Sequence, residues 1–122
     1  MNIEEFRDYC LSKKGVTEQF PFDNVTLVFK VMGKIFALTG LDAWEKGEQK
    51  INLKCDPDAA EELRAVYEGI IAGWHSNKRH WNTVTLNDSD VSKELVKELI
   101  NHSYELVVKG LTKKLQAELK NS

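Results

Sequence analysis

Between Gly73 and Val84 the chain reads GWHSNKRHWNTV, which places two of its three tryptophans, two of its three histidines and an adjacent pair of cations in one short stretch. Lys78 and Arg79 can contact phosphate oxygens, while the rings of Trp74, His75, His80 and Trp81 can stack on bases, each stacked base contributing ~1–3 kcal/mol. The same residue types admit two other readings. Trp74 and Trp81 can wall a pocket in which Arg79 or His80 orients a small anionic ligand or a group of a protein partner. Alternatively, the indoles anchor the loop in the core and leave the cations in solvent, which makes the motif architectural.

Other chemistry finds less support. His75 and His80 are five apart, a spacing that turns them away from each other on a helix and to opposite sides of a strand, and no HExxH accompanies them. The chain contains neither GxxxxGK[ST] nor GxGxxG, so those phosphate cradles are absent. Cys10 and Cys55 fall on faces expected to point inward, and Ser76 beside His75 lacks the strand-to-helix elbow that makes a serine nucleophilic. The expectation is a nonenzymatic protein with no metal and no cofactor.

The bulk composition fits one domain. At 122 residues, 42% hydrophobic and 30% charged, the chain can bury a sizeable core and is too apolar for disorder. A formal net charge of −2 argues against strong nonspecific binding to nucleic acid or membranes, although the charge is uneven. Residues 1–73 carry 13 acids and 9 bases (−4), and residues 74–122 carry 6 and 8 (+2). Two cysteines without CxxC spacing read as reduced, buried thiols. MNIEEFRDYC does not read as a secretory leader, and no apolar run approaches the ~20 residues of a membrane span. A cytoplasmic protein with no membrane partner is expected.

These residues need elements to position them. Residues 2–14 read as a helix capped by Asn2, with Ile3, Phe6 and Cys10 on one face. Glu18–Asn24 reads as a linker extended by Pro21. Val25–Val31 and Lys34–Thr39 alternate around Gly33 as a hairpin, Gly40–Glu48 is a polar loop, and Lys50–Cys55 has the cleanest period of two. A helix capped by Asp56 or Asp58 follows, its buried stripe Ala59, Ala60, Leu63, Val66, Tyr67 and Ile70, ending at Gly69 or Gly73. Asn82–Leu86 suits a short strand, Asn87–Asp90 a turn, and Ser92 the cap of a long helix running to Leu111. Residues 112–122 read as a polar, Lys-rich tail beyond a single domain at 1–111. The order α-β-β-β-α-β-α implies an α+β fold, an antiparallel sheet with helices packed on one face. The other face then carries Thr26, Lys30, Asn52, Lys54, Thr83 and Thr85, a polar and basic set without acids.

The stretch HSNKRHWNTV (75–84) resembles the hallmark of the MmcQ/YjbR family of small bacterial proteins. VFK (28–30), GKIFAL (33–38), NLKCDP (52–57) and LINHSYELV (99–107) extend the resemblance from Phe6 to about Leu111. The family resembles the bacterial frataxin (CyaY-like) α+β fold, and a DNA-binding role on a double-wing arrangement is attached to it. A shared fold does not carry frataxin's iron chemistry with it. Carried over residue by residue, the resemblance implies that Asn77, Lys78, Arg79, His80, Trp81 and Asn82 are the functional positions; Trp74 and Ser76 depart from the pattern. Together these readings predict a DNA- or nucleic-acid-binding protein that uses Trp74, His75, Asn77, Lys78, Arg79, His80, Trp81 and Asn82 with the sheet lysines Lys30 and Lys54. A small anionic ligand or a protein partner at the same loop is the alternative.

Overall fold

The computed structural model describes residues 1–73 and 77–122. Eleven elements form among them: α1 (Ile3–Leu11), β1 (Val16–Gln19), β2 (Thr26–Val31), β3 (Lys34–Gly40), α2 (Leu41–Glu45), β4 (Lys50–Lys54), α3 (Pro57–Val66), β5 (Ile70–Ala72), β6 (Trp81–Thr85), α4 (Lys93–Lys109) and α5 (Lys113–Lys120). The strands make one antiparallel sheet in the order β1-β2-β3-β4-β6-β5. The expected α+β class and its antiparallel sheet are therefore present, with more elements than the periodicity indicated.

Local chemistry sets the helix starts. Asn2 Oδ1 accepts the Glu5 amide at 2.8 Å while Glu5 Oε1 accepts the Asn2 amide at 3.2 Å, a reciprocal cap that satisfies two otherwise free donors. Asp56, Ser92 and Thr112 cap α3, α4 and α5 in the same sense, each accepting an amide three residues on. The β2–β3 hairpin turns through Met32 and Gly33, both at positive φ (50° and 81°), as a two-residue type I′ connection requires.

Phe29, Leu53 and Val84 lie on the sheet face that the main helices cover. Phe6 of α1 meets Phe29 edge-on at 5.4 Å between centroids, and Val96, Ile100, Ser103 and Val107 are the buried stripe of α4. Where the β2–β3 register shifts, Phe36 is the extra residue, so it joins Ala37 in the core. Ser103 is the polar member of the α4 stripe. Its hydroxyl donates to the Phe36 carbonyl and accepts the Lys54 amide at 2.9 Å, bridging β3 and β4 beyond their paired residues.

Four sequence expectations need correction. Residues 16–19 pair with β2 as an edge strand, whereas the segment from Glu18 read as linker. Leu41–Glu45 is a short helix within the expected loop, held by Trp44 Nε1 donating to Thr39 Oγ1 at 2.7 Å. The helix after Asp56 stops at Val66, because Asp90 accepts the Glu68 and Gly69 amides at 2.8 and 2.9 Å and frees Ile70–Ala72 to form β5. The polar, Lys-rich tail expected at 112–122 contains a helix, α5, whose Leu119 is buried in the core beside Gly15.

Candidate nucleic-acid interface

Strand alternation places the candidate residues on opposite faces. Ile51 and Leu53 point to the helices, so Lys50, Asn52 and Lys54 point away from them. The β4–β6 register then carries Thr85, Thr83 and Trp81 to the same open face, directly opposite Lys50, Asn52 and Lys54. One row runs straight across the sheet: Gln19, Val28, Leu38, Asn52, Thr83 and Ile71. Its middle is apolar or closed by hydrogen bonding. Val28 and Thr83 are buried at 0% and 4% exposure, so this face is accessible at its flanks and closed at its centre, where Thr83 Oγ1 donates to Asn52 Oδ1. Lys30, opposite Thr17, flanks this row on the side of Lys54 and Trp81; Lys50 flanks it on the other.

The turn before β6 brings further cations to the Lys54–Trp81 end. Asn77 organises it: its side-chain oxygen accepts the Arg79 amide at 3.0 Å, and its carbonyl accepts the amides of His80 and Trp81 at 3.1 and 2.9 Å. Asn77 thus acts as the frame of the turn, and Lys78 and Arg79 stand exposed on it. The His80 carbonyl accepts the Cys55 amide at 2.8 Å, which extends the β4–β6 ladder past Trp81. At the base of the loop, the Gly73 amide donates to the Trp81 carbonyl at 2.8 Å. A β-carbon at Gly73 would meet Trp81 Cβ at 2.8 Å, so close approach explains the glycine.

Charge separates between sheet and helices. The strands hold Lys30, Lys34, Lys50 and Lys54 against one acid, Glu18, and that carboxylate turns to the helix side, where Arg7 Nε donates to it at 2.7 Å. The Arg7 guanidinium holds the Glu18 carboxyl below its ordinary range. The helices hold 12 acids against 8 bases, so the excess of acid lies in the helices and the excess of base in the strands.

The register therefore places Lys30, Lys54 and Trp81 on one sheet face, and Lys78 and Arg79 are exposed in the turn that leads into Trp81, with His80 half-buried at its end. Lys50 and the exposed Ile71 belong to the same face and were not among the sequence candidates. Trp74 and His75 lie outside the described residues. Asn82 does not belong to this surface: next to Trp81 on a strand it points the other way, opposite Leu53, and is 3% exposed. Both cysteines are buried and unpaired, and burial pushes the Cys55 thiol up to about 11. Among the described residues, no helix is long and apolar enough to cross a membrane.

Comparison with known proteins converges on one family. The YjbR family model matches residues 11–106. The chain is similar to the uncharacterised protein YbdF of Escherichia coli O157:H7, at 39% identity over 83% of this chain and 80% of that one. It is also similar to the uncharacterised protein YjbR of Escherichia coli K12, at 30% identity over 88% of each. Among solved structures, the Deinococcus radiodurans protein DR2400 superposes with a TM-score of 0.85 at 41% identity, covering 98% of this chain and 88% of that one. A Pseudomonas syringae protein superposes at 0.72 with 30% identity, covering 87% and 98%.

Proposed function

The chain belongs to the YjbR family, and from that premise and the charge separation we propose that it is a nonenzymatic nucleic-acid-binding protein whose contact surface is the open face of its sheet. The observation that carries the proposal is a sheet face whose own strand residues include lysines and no acid, with the Asp23 carboxylate meeting it only at Thr26 on its edge. Lys30, Lys50 and Lys54 project from this face, and Lys78 and Arg79 are exposed in the turn that enters β6 at its Lys54 end. Cations spaced along a sheet can follow a phosphate backbone, and the acidic helices orient the molecule so that this face leads.

Trp81 supplies the second element. It is half-buried at the Lys54 end of the face, where an indole can stack on an unpaired base while neighbouring lysines hold the backbone. Aromatic rings on a strand face suit unpaired bases better than a duplex, whose bases are already stacked, so single strands are the preferred form.

The test is a titration of a fluorescent 12-nucleotide single strand at several salt concentrations. Each neutralised phosphate contributes a slope of about −0.7 in log K against log salt. Three to five contacts from the cations on this surface give a slope of about −2 to −3.5. A slope near zero, or no binding at low salt, overturns the proposal.

A further inference from the structure

Asn82 belongs to the hallmark stretch yet faces away from the surface just described, and its side chain leads to the other side of the sheet. We propose that the groove between α3 and α4 binds a small uncharged molecule with an apolar body and one hydrogen-bond-donating end, an alcohol or phenol whose hydroxyl is accepted by Asn82 Oδ1.

The groove is where pattern and packing disagree. The apolar stripe of α3 has the spacing of a covered face, but only Ala60 is buried within the helix, and Val66 is 69% exposed. Leu63 and Val66 face Leu95 and Leu99 of α4 across a cleft of about 460 Å³. That volume falls in the roughly 300–1,000 Å³ range of small-molecule sites. Residues whose local pattern conflicts with their surroundings concentrate at functional sites.

The floor of the cleft supplies the polar feature. Cys55, Leu63, Leu99 and His102 also border a recess of about 10 Å³ that reaches Asn82 between Leu53 and Val84. Asn82 lines this recess, and its Oδ1 is buried with no hydrogen-bond partner among the described residues. An acceptor so placed is costly unless a donor meets it. At about 10 Å³ the recess is at the lower limit for one water-sized group, so a hydroxyl is the largest donor that fits and no ring or chain enters. The other floor groups leave that role to Asn82: His102 Nε2 already accepts the Asp56 amide at 3.2 Å, and the buried Cys55 thiol stays protonated.

Charge narrows the class. An ammonium group in the recess would lose its hydration against a neutral amide oxygen, so the donor is an uncharged hydroxyl. Glu62 and Glu98 border the cleft and repel anions, the opposite preference to that of the basic sheet face.

The probes are 1-hexanol, its isomer methyl pentyl ether, and hexanoate, titrated into the isotopically labelled full chain and followed by amide chemical shifts. The wild-type protein is expected to bind the alcohol about tenfold more tightly than the ether, which lacks the donor, and hexanoate most weakly. Shifts should centre on Leu63, Leu99 and His102. In Asn82→Leu the alcohol and the ether should bind within twofold of each other. Equal binding of the isomers by the wild type, as a bridging water at Oδ1 would give, overturns the proposal; so does discrimination that survives Asn82→Leu. Should Asn82→Leu fail to fold, Leu99→Trp provides the second variant, since an indole filling the cleft should abolish binding of the alcohol. Undiminished binding there also overturns the proposal, as do groove shifts that depend on protein concentration without ligand, which mark the cleft as a contact between copies of the chain.

Discussion

Lys54 and Trp81 stand directly opposite each other on β4 and β6, at the end of the sheet where the Asn77 turn, with Lys78 and Arg79 exposed on it, enters β6. Their expected contributions separate cleanly. Lys54→Ala should reduce the magnitude of the salt slope by about 0.7 for a single strand, with the same loss for every sequence. Trp81→Ala should leave the slope unchanged and cost ~1–3 kcal/mol of affinity through lost stacking. Lys54→Ala should change folding stability by less than ~0.5 kcal/mol, as a surface substitution does. Wild-type affinity and slope in both variants would show that this end of the sheet contacts nothing.

The open face was legible because a strand alternates with a period of two. Lys50 to Cys55 alternate so regularly that the face of Asn52 and Lys54 follows from residue type, and the ladder places Thr26, Lys30, Thr83 and Thr85 on the same side. The same rule could have removed Asn82 from the candidates, since neighbours on a strand cannot share a face and Thr83 was already assigned to the outer one. The end of α3 was not legible. It is set by the Asp90 carboxylate, twenty-one residues beyond Gly69, and no local periodicity reports such a contact. The last helix had a readable signal in the Thr112 cap and the four-residue spacing of Leu115 and Leu119, but its many lysines read as tail.

Ser103 carries more than its size suggests. The paired register between β3 and β4 covers only Ala37 with Leu53 and Leu38 with Asn52. Past those residues, the Phe36 carbonyl and the Lys54 amide find their partner in the Ser103 hydroxyl. Ser103→Ala removes that partner from a fully buried site and strands a donor and an acceptor. A loss of ~2–4 kcal/mol is expected from urea unfolding. Hydrogen exchange gives the specific signature, with the Lys54 amide losing protection while amides within β2 and β3 keep theirs. An unprotected Lys54 amide in the wild-type protein would refute the bridge.

Gly73 is constrained by proximity to Trp81 and not by its own dihedrals. An added β-carbon would lie 2.8 Å from Trp81 Cβ and 3.0 Å from its carbonyl oxygen, so backbone must move to admit it. Gly73→Ala is expected to destabilise by ~1–3 kcal/mol, as overpacking does, and to weaken the Gly73–Trp81 hydrogen bond at the base of the loop. Gly33→Ala provides the contrast. Its β-carbon would have open space, but φ is 81°, so the cost there is conformational, about 1 kcal/mol, and leaves the loop alone. If Gly33→Ala perturbs Trp81 fluorescence as much as Gly73→Ala does, the proximity argument fails.

Cys10 makes stability fall at alkaline pH. It is fully buried on α1, and desolvation raises its thiol from 9.0 to about 12, with Lys13 opposing weakly. The folded state therefore binds the thiol proton more tightly than the unfolded chain does. Below pH 9 both states are protonated and the full contribution is present. As pH rises from 9 towards 12, the unfolded thiol ionises first, and stability is lost at up to about 1.4 kcal/mol per pH unit. Cys55, raised to about 11, adds to the loss between pH 9 and 11. Urea midpoints measured under reducing conditions from pH 8 to 11 should thus decline more steeply for the wild type than for Cys10→Ala, while lysine and tyrosine ionisation affects both alike. The variant will be less stable at neutral pH because of the cavity it leaves, so the comparison rests on slope and not on the absolute midpoint. Parallel profiles would show that the thiol ionises as readily inside the fold as outside it.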